Sequence, residues 1–226
     1  MRPPPLSRAH HRLPNDSVVF CSFSTSSKFT PRLFDVWMRI LARVPGSVLW
    51  LRAWSKDVEK NLRAESALRG INPDRLVFAA HCSYDEHLGR YGVADLALDT
   101  FGFGGHTTAS DALWMGCPIA TRIGNTFFGR VGASLLSVMG LPELITTTAG
   151  EYEDLVVKLA NTPGALKALR RRVEHLRDSS SLFDSERKTR ELEWAYEHMW
   201  STYADGLAPR AFDVPELDLP PNRPRK

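Results

Sequence analysis

Short apolar runs alternate with stretches of helical spacing along most of this chain, and that alternation constrains the fold more than any other feature. The runs are Val18–Phe23, Ser47–Ala53, Arg75–Ala80, Val93–Leu98, Pro118–Thr121 and Leu144–Thr146. After the first run, Thr30-Pro31 opens a helix, with Thr at the N-cap and Pro at the first helical position. That helix carries Leu33, Phe34, Trp37, Ile40 and Leu41 on one face and stops near Pro45-Gly46. Further helices are expected from about Lys56 to Arg69, over Tyr84–Arg90 and around Gly129–Met139. Runs that are apolar throughout, rather than every second residue, suit strands buried on both faces. The expected fold is therefore α/β, a Rossmann-like, doubly wound parallel sheet with helices on both faces. Such sheets bind ligands at the carboxyl ends of their strands. The loops holding Lys28, Tyr84–Arg90 and Gly104–Thr108 all follow strands, so they should share that edge.

The most informative of these loops follows the strand that ends at Asp99. Gly102, Gly104 and Gly105 lead into His106-Thr107-Thr108 and then a helix with Ala109, Ala112 and Leu113 on one face. Strand, glycine loop and helix N-terminus together suit a phosphate, because free N–H groups and the positive end of the helix dipole point into the loop. The spacing is neither that of the dinucleotide fingerprint nor that of a P-loop.

At 226 residues the chain has room for one sizeable domain. A formal net charge of +3 gives no case for nucleic-acid or membrane binding. Cys21, Cys82 and Cys117 lack metal-ligand or redox spacing and read as free thiols in a reducing, cytoplasmic setting. Residues 1–16, rich in Pro and His, are expected to be mobile and residues 17–205 to form the folded lobe. Two further helices, Glu151–Ala160 and Gly164–Arg177, and a long one from Ser185 to Ala204 should close the lobe. The Pro-rich tail 206–226 is expected to be disordered. Arg170, Arg171 and Arg172 read as a solvated face.

With these pieces in place, the chain resembles the C-terminal catalytic lobe of the O-linked N-acetylglucosamine transferase family, Spindly-type enzymes included. The likeness runs from about Leu13 to Tyr203. It rests on Phe20-Cys-Ser-Phe23 with Lys28, Val44-Pro-Gly-Ser-Val-Leu-Trp-Leu51, Asp85-Glu-His87 with Arg90, Ala94-Asp-Leu-Ala-Leu-Asp-Thr100, Gly105-His-Thr-Thr108 with Asp111-Ala-Leu-Trp114, and Arg130-Val131 before Ser134-Leu135. The resemblance implies a GT-B glycosyltransferase, in which two Rossmann-like lobes face each other across a cleft. The donor is a nucleotide sugar, typically UDP-N-acetylglucosamine. No metal or other cofactor is needed, and the sugar passes with inversion to a Ser or Thr of a protein acceptor. The N-terminal lobe of such enzymes supplies the proposed base, and helical TPR repeats ahead of it bind protein substrates. By this likeness the present chain is half of an active site, inactive unaided. The rival readings are a non-catalytic nucleotide-sugar-binding remnant and another GT-B activity such as a sugar-nucleotide epimerase.

The resemblance also assigns roles. Lys28 would neutralise charge on the leaving diphosphate, and Gly105, His106, Thr107 and Thr108 would donate to the phosphates. His87 and Arg90, on one face of a short helix, would meet the uridine. Asp111 would hold the ribose hydroxyls. Thr25 and Tyr84 occupy donor-site positions where many family members carry Gln and Lys. Each role has a plainer competitor. Lys28 could be a solvated lysine, and Arg90 could pair with Asp85 or Glu86 at the surface. Thr108 and Asp111 could form a helix capping box.

Overall fold

The computed structural model describes residues 3, 7–52 and 55–215. The strands are β1 (Val19–Ser22), β2 (Val48–Arg52), β3 (Leu76–Ala79), β4 (Leu96–Leu98), β5 (Ile119–Arg122) and β6 (Ile145–Thr146). They pair in parallel in the order β3-β2-β1-β4-β5-β6. The helices are α1 (Pro31–Arg43), α2 (Lys56–Leu68), α3 (Tyr84–Tyr91), α4 (Thr107–Trp114), α5 (Phe127–Val138), α6 (Ala149–Asn161), α7 (Ala165–Ser179) and α8 (Ser185–Ala204). The α/β class and the doubly wound sheet are as the alternation requires. Of the second apolar run, Ala53 lies outside the described residues.

Alternating side chains of each strand feed two cores. Phe20, Leu49, Leu51, Leu76, Leu96, Leu98 and Ala120 point to the face covered by α1 and α6. Val19, Cys21, Val48, Trp50, Ala97 and Ile119 point to the other face, under α3, α4 and α7. Burying each such Leu or Val contributes about 1.5–3 kcal/mol relative to exposure, which is why both faces must be covered. The face changes between β1 and β4, whose register sets Phe20 against Leu96. The connection after β1 leaves for the α1 face and the one after β4 for the α4 face. A crevice opens at that divergence, beyond the carboxyl ends of the strands.

In the segment before β1, expected to be mobile, the described residues from 7 onward are anchored at Arg8 and Leu13, while Ser7, Ala9, His10, Arg12, Asn15 and Asp16 are exposed. Leu13 is buried in the core. The Arg8 guanidinium donates to the carbonyl oxygens of Val93, Pro14, Asn15 and Ser17 and to Asp95 (2.7 Å). The same Asp95 carboxylate accepts from Val19 N (2.7 Å), so one buried-edge network ties this segment to β1. Arg170 also departs from the solvated face expected of it: it donates to the carbonyl oxygens of Tyr91 (3.0 Å) and Ala94, pinning α7 to the end of α3.

Of the expected tail, residues 206–215 fold back along α8. Leu207 N donates to Thr202 O (3.0 Å), and the Phe212 ring lies 4.6 Å from that of His198. The remainder, 216–226, lies outside the described residues, as do residues 1, 2 and 4–6 of the amino-terminal segment. Among the described residues, no helix is long and apolar enough to cross a membrane.

Candidate functional site: a crevice at the strand switch point

Side-chain caps close most helix N-termini in this fold. Thr30, Ser55, Ser83 and Thr126 each accept from an N–H of the first turn of α1, α2, α3 and α5, and Thr148 forms a full capping box with Glu151 on α6. Helices α7, which follows Gly164, and α4 lack such a cap; the N-cap of α4 is His106, whose side chain makes no capping hydrogen bond. The capping box considered for Thr108 and Asp111 does not form, because the helix starts two residues earlier, at Thr107, and Thr108 already lies within its first turn. The leading N–H groups of α4 therefore stay outside the intrahelical ladder, where they can receive an anion.

A buried carboxylate shapes the loop in front of them. Asp99, 3 % exposed at the end of β4, accepts from Thr100 N (2.8 Å), Gly105 N (2.6 Å) and Thr121 Oγ1 (2.6 Å). Burial pushes its pKa up, and those three donors together with the nearby Lys28 charge pull it back. Crowding around this carboxylate and its loop explains two glycines. A Cβ on Gly132 of α5 would sit 2.6 Å from Asp99 Oδ2, and one on Gly105 would sit 2.7 Å from Thr108 Oγ1.

Lys28 reaches the same loop from the other side of the crevice. It ends a single 3₁₀ turn, Ser26–Lys28, whose N-cap is Thr25. Its ammonium donates to Gly104 O (3.0 Å) and lies 4.2 Å from the centre of the Phe103 ring. Partial burial lowers its pKa, and the Asp99 carboxylate opposes that. One proton of the ammonium is used on Gly104, which leaves two for a ligand. Phe103 is in turn stacked with His106 (5.3 Å, 13°) and Phe128 (4.7 Å, 11°), so the loop carries an aromatic wall. Thr25 is exposed, its hydroxyl 3.0 Å from Ser27 Oγ, at the outer rim.

The third loop forms the far end. A cavity of about 180 Å³ is lined by Arg52, Ala80, Cys82, Ser83, Tyr84, His87 and Arg90. Arg90 is 3 % exposed and donates to Ala80 O (2.6 Å), with Glu86 Oε1 3.9 Å away. It is a buried wall rather than a surface ion-pair partner, and its Nε has no protein partner among the described residues. His87 packs edge-on to Phe23 (5.4 Å) and Tyr91 (5.5 Å). Burial, with the Arg90 and Arg52 charges adding to it, lowers its pKa to about 4, so it presents a neutral imidazole. Tyr91 OH donates to Thr108 O (3.1 Å), linking this end to α4. Asp111, largely buried on α4, accepts from Tyr84 OH (2.8 Å).

The structure thus gathers the residues singled out from sequence along one crevice: Lys28 and Gly105–Thr108 at one end, His87 and Arg90 at the other, Tyr84 and Asp111 between α3 and α4. Three contributors were missed. Asp99 carried a signal, a carboxylate closing an apolar strand just before a glycine loop. Arg52, at the end of β2, carried a similar one. The Phe103–Phe128 stack joins two loops distant in sequence, and no local pattern announces it.

The six-stranded parallel sheet with helices on both faces is the Rossmann-like lobe architecture of GT-B glycosyltransferases. The model of glycosyl transferase family 41 matches residues 5–192. The chain belongs to that family. It is 37% identical over 201 residues to a Caenorhabditis elegans UDP-N-acetylglucosamine–peptide N-acetylglucosaminyltransferase, covering 89% of this chain and 18% of the relative. It is 36% identical to the probable Arabidopsis thaliana enzyme SEC, covering 94% of this chain and 22% of that one. Among solved structures, an O-GlcNAc transferase mutant from Thermobaculum terrenum superposes with a TM-score of 0.76 at 34% identity, over 83% of this chain and 38% of that one. The chain therefore spans about a fifth of the length of the curated relatives it matches.

Proposed function

We propose that this chain is the donor-binding lobe of a protein O-GlcNAc transferase, holding a UDP-sugar, in the first place UDP-N-acetylglucosamine, for transfer to a Ser or Thr hydroxyl. The observation that carries the reading is that the Lys28 ammonium donates to Gly104 O (3.0 Å), in the very loop that leads into the open N-terminus of α4. In this reading the diphosphate sits against that loop, met by the two remaining protons of the Lys28 ammonium and the leading N–H groups of α4. The nucleoside extends over Asp111 toward His87 and Arg90.

The chemistry is leaving-group stabilisation. As the glycosidic C–O bond breaks, negative charge grows on the terminal phosphate oxygen. A fixed ammonium and aligned N–H dipoles stabilise that charge more in the transition state than in the ground state. Such groups let the reaction proceed without a divalent ion. Inversion follows if the acceptor oxygen attacks from the face opposite the diphosphate. The base that takes the acceptor proton, and the surfaces that select the acceptor protein, belong in this reading to a companion N-terminal lobe and TPR-bearing segment. The isolated chain is expected to bind donor without turning it over.

Calorimetric titration with UDP and UDP-N-acetylglucosamine tests this. Lys28→Ala removes a charge-assisted contact of about 1.5–3 kcal/mol, so UDP affinity should fall roughly 10- to 150-fold. Absence of UDP binding by the unmodified chain defeats the proposal, and unchanged affinity in the variant removes Lys28 from the site.

A further inference from the structure

Beside the Arg90 side of α3, one nitrogen each of His10 and His11 and a carboxylate oxygen of Glu86 lie within 4.8 Å of one another. We propose that these three side chains form a binding site for a zinc-class divalent transition metal that clips the amino-terminal segment to α3. The donor set is the first reason. Two imidazoles and one carboxylate, with water completing the sphere, suit zinc and its neighbours, whereas magnesium and calcium favour all-oxygen sites.

Geometry is the second. His10 Nε2 is 3.8 Å from Glu86 Oε1. Bonds of about 2.0–2.2 Å around a tetrahedral ion bring ligand atoms to roughly 3.5 Å of each other. Small side-chain rotations therefore close the site, and the backbone need not move. The rings are already held: His11 packs on Trp50 (4.7 Å) and His10 stands edge-on to His11 (4.9 Å). His11 Nε2 is shielded from solvent and has no hydrogen-bond partner among the described residues. A buried imidazole nitrogen without a partner is costly, and a metal bond relieves it directly or by fixing the tautomer. The Arg90 guanidinium, 3.9 Å from Glu86, is the opposing charge. The same nitrogen donates to Ala80 O (2.6 Å), so the guanidinium is already engaged and weakens the site by charge alone.

The inference is independent of the donor-binding reading, since none of the three ligands takes part in it. The test is zinc calorimetry on the full, untagged chain, with X-ray absorption on the loaded protein. One zinc per chain is expected, in a shell of nitrogen and oxygen. His10→Ala and Glu86→Gln, both at partly exposed positions that the fold tolerates, should each weaken binding about tenfold or more. Cys82→Ser should leave it unchanged, and magnesium should not compete. A sulfur-containing shell, loss of binding in Cys82→Ser, equal affinity in the two ligand variants, or no stoichiometric zinc at all would each overturn the assignment.

Discussion

His87 offers a direct measurement of how the pocket is built. Its imidazole is held neutral by burial and by the neighbouring Arg90 and Arg52 charges, with its pKa lowered from 6.5 to about 4. The unfolded chain binds a proton near pH 6.5 that the folded chain refuses until about pH 4. The folded state therefore loses stability as pH falls through that window, and keeps it in full above the unfolded pKa. At 1.36 kcal/mol per pH unit the whole shift corresponds to roughly 3 kcal/mol. His87 is only partly buried, and solvent screening cuts the usable part to about 1–2 kcal/mol. The assay is urea unfolding of the wild type and His87→Gln at pH 7 and pH 4.5, with the histidine ring titrated by NMR in parallel. The wild type should lose about 1 kcal/mol more than the variant on acidification, because only it carries the buried, proton-refusing ring. Removing a like charge should also raise the ring's pKa, so Arg52→Met should narrow the gap. An NMR pKa of 6 or above, or parallel pH dependence in the two proteins, would refute the desolvation argument and with it the account of His87 as a neutral wall of the pocket.

Two further perturbations separate scaffold from site. Gly132→Ala places a methyl 2.6 Å from the Asp99 carboxylate; overpacking of this kind costs about 1–3 kcal/mol, which a shifted urea midpoint with unchanged slope would register. The same variant should weaken UDP binding, because Asp99 holds the Gly105 loop, and full affinity would show that the loop does not depend on that carboxylate. Arg8→Ala deletes one side chain that serves several carbonyl oxygens and Asp95, and should cost about 2–4 kcal/mol through the unpaired acceptors it leaves. Fast amide exchange confined to residues 7–17 should accompany the loss; unchanged protection there would mean that Leu13 alone anchors the segment.

The elements were legible because their signals are local. Thr30-Pro31 starts α1, Ser83 caps α3, and continuous apolar runs mark strands covered on both faces. The loops bearing Lys28, His87 and Gly105 could be put on one edge because parallel strands all end there. What escaped is carried by single long side chains reaching across the fold. Arg8 and Arg170 look like solvated cations in sequence, and each saturates carbonyl oxygens at the end of a distant element. Composition likewise suggested a mobile leader over residues 1–16, yet its described part, residues 7–16, is mobile only if nothing repays its ordering entropy. Burial of Leu13 and the Arg8 network repay it.

Asp111 shows how the plain and the functional readings meet. Tyr84 stands where many relatives in the resemblance carry lysine, and its hydroxyl donates to Asp111 Oδ1 at 2.8 Å. That bond opposes the effect of burial, which pushes the Asp111 pKa up, and it spends one acceptor position of the carboxylate. An ionised carboxylate offers about four such positions. A ribose hydroxyl can therefore bond to Oδ2 while Tyr84 keeps Oδ1, and the tyrosine orients the carboxylate instead of competing for it. A lysine at this position would add a charge beside the phosphates; tyrosine adds none. In this chain more of the positive field for a diphosphate then falls to Lys28 and the N-terminus of α4. On the proposed reading, that concentration makes the expected Lys28→Ala effect on UDP affinity large, and the N-terminus of α4, with no side-chain cap, is free to share the load.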